Sequence, residues 1–199
     1  MLIDTHCHLT DKRLVGQIDY VLNEAKEAGV ERILMPTTGI LDAKKAIEIV
    51  TKYPEVWAMA GIHPENILDS RFEISDLMNE VKQIVRSSNK VVGIGEIGLD
   101  FYWDKDKKSK KLQIEVLKGQ IELAVELDLP VVIHMREAEE EMVTVLGSIV
   151  NLPRGQFHCW SGSQSMLELV LAKNFYVSFC GNITYKSAGN IREAAKKVP

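Results

Sequence analysis

A chain of 199 residues with 46% hydrophobic content has the size of one ordinary domain and enough apolar material for a substantial core. Its apolar runs are only a few residues long, far below the roughly 20 that a membrane-spanning helix needs, and Asp4 stands where a signal core would lie, so a soluble cytoplasmic protein is expected. The formal net charge of −4 argues against a broad duplex binder, and any phosphate recognition must be local.

Short apolar runs alternate with longer amphipathic segments at roughly 25 to 35 residues per unit, the pattern of βα repeats and a parallel sheet. Strands are predicted at residues 2–5, 32–36, 56–62, 91–96, 130–134, 155–158 and 175–179. The first helix is predicted over 15–28, with Ile18, Val21, Leu22, Ala25 and Ala28 on one stripe and Gly29 closing it. Further helices are predicted over 43–52, which stops before Pro54, and over 74–86, with Leu77, Met78, Val81 and Val85 at helical spacing. The rest follow over 112–127, 137–150, 165–172 and 190–197. No linker or low-complexity tract divides the chain, so residues 1–199 are expected to form one domain. Seven βα units approach the eight of a (β/α)8 TIM barrel. The expected fold is therefore that barrel type lacking its eighth βα unit, C-terminally incomplete. Cys7, Cys159 and Cys180 are odd in number and show no CxxC spacing, which fits reduced thiols better than a disulfide framework.

All five histidines, His6, His8, His63, His134 and His158, close apolar runs that read as strands. In a strand, His6 and His8 project to one face while Cys7 points away. Two imidazoles on a rigid rim make half of an open-sided metal site, and Asp4, of the same parity, is placed to orient one of them. The plain alternative is a pair of exposed or core histidines. Residues 91–96 form a near-continuous apolar strand that ends on the carboxylate of Glu96, which needs a partner: a cation, or an Arg or Lys at the strand end. His134 and His158 each read singly as packed histidines. With His6, His8 and Glu96 they become four imidazoles and one carboxylate on strands one, four, five and six, all expected at one rim. His63 faces the same mouth and is read as a substrate or transition-state contact. Arg136 suits a phosphate, or else a salt bridge to Glu139, Glu140 or Glu141. Lys105, Lys107, Lys108, Lys110 and Lys111 form either a solvated run or a cationic loop for a polyanion. Phe101, Tyr102, Trp103 and Trp160 are candidates for base stacking or for barrel packing.

The set Asp4-Thr5-His6-Cys7-His8, Gly61-Ile62-His63-Pro64, Gly95-Glu96-Ile97-Gly98-Leu99-Asp100, Val132-Ile133-His134-Met135-Arg136-Glu137-Ala138 and His158-Cys159-Trp160-Ser161-Gly162-Ser163 closely resembles the TatD family of metal-dependent DNases, over essentially the whole chain. The resemblance implies a TIM-barrel hydrolase of the amidohydrolase-like superfamily that cleaves DNA phosphodiesters from single-stranded ends, 3′ to 5′, with two divalent cations. Mg, Mn and Zn all suit such ligands. By position, His6 and His8 then look like ligands of the first cation, Glu96 like the bridge, His134 and His158 like ligands of the second, and Asp100 like a support behind them. Glu96, His63 and Arg136 fall in catalytic positions, with His63, Arg136, Lys105, Lys107 and Trp160 toward the substrate. The family's Glu-Thr-Asp-Ala-Pro-like segment on the eighth strand has no counterpart in this sequence, which places full activity in question. Two rival readings stay open. One is a small-molecule amide, ester or lactone hydrolase on the same scaffold. The other is an inactive remnant that binds DNA or a partner, with strands one and seven as exposed edges.

Overall fold

The computed structural model describes residues 1–67, 73–102 and 109–199, and within them strands and helices alternate along the chain. The order is β1 (Leu2–Asp4), α1 (Ile18–Glu27), β2 (Val30–Pro36), α2 (Ile40–Lys52), β3 (Val56–Ala60), α3 (Ile74–Ser87), β4 (Val91–Asp100), α4 (Lys110–Glu126), β5 (Val131–Arg136), α5 (Glu139–Ser148), β6 (Gly155–Phe157), α6 (Gln164–Ala172), β7 (Tyr176–Val177) and α7 (Gly189–Ala195). Every strand pairs in parallel with the next, and the sheet order is the chain order from β1 to β7. The result is a curled half-barrel of seven βα units, the α/β architecture expected of the sequence. Among the described residues, no helix is long and apolar enough to cross a membrane.

Local chemistry explains where elements depart from expectation. The first helical segment opens as a 3-10 turn at Val15–Gln17, and the α-helix proper begins at Ile18, burying Ile18 and Leu22. It ends as predicted, with Gly29 in the left-handed region at φ +84°. α2 starts three residues early because the Asp42 carboxylate accepts the Thr38 amide at 2.8 Å, satisfying a donor at the helix entrance. α5 starts two residues late because Glu137 has φ +51°, outside helical space. β4 runs four residues past Glu96, since Ile97 and Leu99 are buried and pair onward with Ile133 and Met135. Gly98 makes that extension possible: its φ is +152°, and a Cβ there would lie 1.9 Å from the His134 carbonyl oxygen. β7 is shorter than predicted because its partner β6 has only three residues.

The curl brings non-neighbours together at the carboxyl ends of the strands. Thr37, fully buried just past β2, donates its amide to the Met59 and Gly95 carbonyls and accepts the Glu96 amide at 2.8 Å. Main chain can approach this closely because Gly61 and Gly95 lack side chains; a Cβ on Gly61 would lie 2.6 Å from the Gly95 carbonyl carbon. α4 then locks the outside of the rim with two glutamines two turns apart on one face. Gln113 exchanges hydrogen bonds with the Asp100 main chain, and Gln120 does the same with Ile62, each through amide and carbonyl. Below the rim the core is apolar, with Ile94, Ile97, Leu99, Leu117, Ile121 and Ile133 at its centre.

Candidate metal centre

Glu96 is only 3% exposed, and five imidazoles surround its carboxylate. Oε2 faces His6 Nε2 at 3.1 Å and His8 Nε2 at 3.2 Å. Oε1 faces His158 Nε2 at 2.6 Å, His134 Nδ1 at 3.0 Å and His63 Nε2 at 3.3 Å. Within each flank the ligand atoms are also close, 3.1 Å between His6 Nε2 and His8 Nε2, and 3.2 Å between His134 Nδ1 and His158 Nε2. The flanks meet where His6 stacks on His158, ring centroids 3.9 Å apart and planes 3° from parallel. Residues from distant parts of the chain, His6 and His158, thus share one small volume.

His6 and His8 do not lie on a strand, contrary to the sequence-based expectation. The β1 ladder ends at Asp4, so the two histidines stand on the loop beyond it, and strand alternation is not what aims them. The loop's main chain does this instead: Cys7 N–H donates to the Leu34 carbonyl at 3.1 Å, and His6 N–H to Asp4 Oδ1 at 2.9 Å. Asp4 therefore fixes the backbone of a candidate ligand, where the sequence had suggested its ring. Asp100 does meet a ring, with Oδ2 3.0 Å from His134 Nε2. A proton on Nε2 shared with Asp100 leaves the Nδ1 lone pair aimed into the site, the arrangement in which outer carboxylates orient metal-binding histidines.

His63 has the opposite polarity. Its Nδ1 accepts the Glu65 amide at 3.2 Å, which puts the ring proton on Nε2, the atom facing Glu96. Its position next to Glu96 and His134 would also allow ligation. The amide at Nδ1 makes it a hydrogen-bond donor to the site instead.

The electrostatics follow from this crowding. Burial alone would raise the Glu96 carboxyl, but hydrogen bonds from His134, His158, His6 and His63 outweigh it and hold the group far below the usual carboxylate range. Burial likewise works against charge on His134, yet Asp100 and Glu96 push that imidazole up to about 9. His158, where burial prevails over the attraction of Glu96, falls to about 4 and is neutral at pH 7. His8 is raised, chiefly by its hydrogen bond with Glu96. Asp100 is lowered, its bond with His134 overcoming its burial. The Nδ1 atoms of His6 and His158 are buried with no hydrogen-bond partner among the described residues. An anion and several imidazole lone pairs converging in so small a space form a donor set that fits divalent cations.

Toward the rim, the Arg136 guanidinium lies over the Tyr102 ring at 3.7 Å, and Arg136 is the register partner of Asp100. Of its suggested acidic partners, Glu139 accepts from Ser163 N–H at 2.9 Å and Glu141 pairs with Lys110. Phe101 and Trp160 belong to packing. Trp160 is 1% exposed and meets Phe157 edge-on, so its indole offers no face to a base, contrary to the sequence reading. Lys105, Lys107, Lys108 and Trp103 lie outside the described residues. Sequence reasoning missed Thr37, Gln113 and Gln120. The glutamines left a signal, two polar residues seven apart on a helix that otherwise buries Val116, Leu117, Ile121 and Ala124.

The model of the TatD related DNase family matches residues 3–199. The chain is 36% identical over 200 residues to the uncharacterized metal-dependent hydrolase YabD of Bacillus subtilis, covering all of this chain and 76% of that protein. It is 29% identical to the 3′-5′ ssDNA/RNA exonuclease TatD of Erwinia tasmaniensis, covering 75% of that protein. The crystal structure of YjjV, a TatD homologue from Escherichia coli, superposes with a TM-score of 0.89 at 28% identity, over the whole of this chain and 75% of that one. With its half-barrel, its histidine and glutamate cluster and this match along nearly its full length, the chain belongs to the TatD-related DNase family of metal-dependent hydrolases.

Proposed function

We propose that this protein is a two-cation nuclease that hydrolyses DNA phosphodiesters from single-stranded ends in the 3′ to 5′ direction. One observation carries the reading: the two oxygens of a single buried carboxylate divide the imidazoles between them, His6 and His8 on Oε2, His134 and His158 on Oε1. A carboxylate shared in this way would be able to hold one cation at each oxygen. His6, His8 and Glu96 would hold the first, and Glu96, His134 and His158 the second, with Mg, Mn or Zn all compatible. Cations there would supply activation of water near neutral pH and neutralisation of phosphate charge.

The remaining steps belong to the chain's own groups. Asp100 keeps the His134 proton on Nε2 and so its Nδ1 available. His63 Nε2–H, locked by the Glu65 amide, donates toward the oxygen on which charge develops at phosphorus. Arg136, flattened on Tyr102 beside the site, presents a planar cation to the substrate's phosphates. DNA is favoured over a small ester or amide by the name of the family and by the named activity of the Erwinia relative.

The test incubates the chain with single-stranded DNA labelled at the 5′ end, single-stranded RNA of the same sequence, and a small ester and lactone, each with Mg, Mn or Zn. The expected result is a ladder of 5′-labelled products shortening one nucleotide at a time, abolished by chelator. Turnover of the ester or lactone with intact DNA moves the protein to the small-molecule class. Binding of DNA without cleavage under every metal supports the binding-protein reading.

A further inference from the structure

In a parallel ladder successive residues turn their N–H and C=O alternately toward the strands on either side. On β3 the Ala58 amide donates to the Lys90 carbonyl at 2.9 Å, toward β4, and Ala60 pairs with Ile94. Ile62 shares that parity. His63, one residue on, turns the other way and donates its amide to the Thr38 carbonyl beyond β2 at 3.0 Å. On the β4 side the Phe101 amide donates to the Arg136 carbonyl of β5 at 3.0 Å, so Asp100 just before it faces β3. The pairing of β3 with β4 stops at Ala60 and Ile94, which leaves Ile62 and Asp100 facing an opening in the sheet at the rim.

Two buried glutamines of α4 fill that opening. Gln120 Oε1 accepts the Ile62 amide at 2.7 Å, and its Nε2 donates to the Ile62 carbonyl at 3.1 Å. Gln113 does the same for Asp100 at 2.9 and 3.0 Å, and its Nε2 also donates to Ser109 Oγ at 2.8 Å. A carboxamide carries the acceptor and donor of a peptide group, so each strand end receives the bonds that a neighbouring strand would have given.

Each clamp lies one step from Glu96. The residue after Ile62 is His63, with Nε2 3.3 Å from Glu96 Oε1, and Asp100 itself holds His134 Nε2 at 3.0 Å. We infer that Gln113 and Gln120 are positioning residues with separate tasks: Gln113 sets how tightly the cation at Glu96 Oε1 is held, acting through Asp100, and Gln120 sets turnover, acting through His63. A donor aimed at developing charge loses most of its effect when it is displaced by a fraction of its bond length, and a carboxylate behind a ligand acts by orienting the ring. The separation of tasks rests on the proposed two-cation hydrolysis; the hold of each glutamine on one histidine does not.

The test compares the full chain with Q113L and Q120L by Mn2+ titration, by kinetics on single-stranded DNA and by the 15N signals of the histidine rings in the metal-free proteins. Q113L should bind one Mn2+ about tenfold more weakly and recover kcat to within about twofold when Mn2+ is raised, as an orienting group behind a ligand would. Q120L should keep its Mn2+ affinities and KM while kcat falls about a hundredfold at every Mn2+ concentration, the loss that a small misplacement brings. In D100N, Q113L should add nothing further to the loss of affinity, because it acts through the group already changed. Urea unfolding shows whether each variant is folded; for one that is not, Q113E or Q120E, which keeps the length and the accepting oxygen, takes its place. Equal losses of affinity and kcat in both variants, or a change in the unfolding midpoint alone, would make the glutamines structural only and overturn the inference. A full chain that leaves DNA intact overturns the proposed reaction, and the ring signals then decide the positioning. Q120L should move the His63 signals and leave those of His134, with the reverse in Q113L, and signals that move together in both variants overturn it.

Discussion

The two flanks of Glu96 are built differently, although they meet at one carboxylate. On the Oε1 side, His134 rises from β5 inside a register that continues to Arg136, and Asp100 from the neighbouring strand holds its far nitrogen. Gln113 holds the Asp100 main chain, and Gln120 holds the main chain just before His63. On the Oε2 side, His6 and His8 stand on a loop beyond a three-residue strand, and the His8 side chain is 34% exposed. One flank is preorganised by buried polar networks, the other by a few main-chain bonds at the surface. Fewer rotamers and main-chain angles remain to be fixed on the first, so the Oε1 flank should take up the tighter cation and the Oε2 flank the more exchangeable one.

The largest expected effect removes what the flanks share. Glu96→Ala should abolish cation binding on both sides and lower hydrolysis by a factor on the order of a thousand or more, since neither cation keeps its bridging ligand. Metal content by elemental analysis, read beside activity, checks this, and a variant that still holds two cations would mean that the bridge lies elsewhere. Next comes Asp100→Asn, which should weaken the Oε1 cation about 10- to 100-fold while leaving the Oε2 cation nearly unchanged. Titration with Mn2+ followed as two separate binding events distinguishes this from a uniform loss, which would mean that the two flanks are equally preorganised.

Protons sharpen the same comparison. His134 is raised to about 9, so at pH 7 it carries a proton that a cation must displace, whereas His158, lowered to about 4, has none to give. Cation affinity on the Oε1 flank should therefore rise with pH and level off near pH 9, and binding at pH 7 should release close to one proton from His134. Calorimetry in buffers of different ionisation enthalpy counts that proton. In Asp100→Asn the release should shrink, because the first group holding His134 up is gone. In the metal-free protein the raised imidazole adds stability that is complete below its unfolded value of 6.5 and disappears as pH climbs through about 9.

A smaller effect, on stability, is expected of Gln120→Leu. The buried amide and carbonyl of Ile62 both lose their partner, at a cost of about 1–3 kcal/mol in urea unfolding. Both cations should still bind, because none of the candidate ligands is touched. If instead His8→Ala cost as much stability as Gln120→Leu, the two flanks would be equally built in and the comparison would fail.

Periodicity and strand-end placement made the sheet, its parallel order and the convergence of Glu96 with four imidazoles legible in the sequence, because those depend on local pattern and on a topology that aligns all strand ends. What escaped was set by contacts between elements. The continuation of β4 through Gly98 to Asp100 depends on pairing with β5, and β1 leaves its ladder at Asp4 although β2 runs on to Pro36 beside the loop. Trp160 illustrates the same limit. An aromatic two residues past a candidate ligand reads as a rim group, and only the packing of Phe157 against it shows that it is core. The division of the histidines into acceptors and a donor was beyond the sequence altogether, since a single amide, that of Glu65, decides where His63 carries its proton.

The smallest predicted effect tests the weaker flank directly. Asp4 is exposed, and what it contributes is one bond from its carboxylate to the His6 amide at 2.9 Å, so water can replace much of it. Asp4→Ala should leave the unfolding midpoint almost where it is and weaken only the Oε2 cation, by a factor of about two to five, as a short loop gains freedom that binding must remove again. Asp4→Asn keeps the accepting oxygen and should restore most of that loss. Restoration would show that the loop's main chain is what aims His6. Equal losses in both variants would show that the negative charge of Asp4, acting on the cation through space, is the real contribution, and the Oε2 flank would then be held by charge more than by its loop.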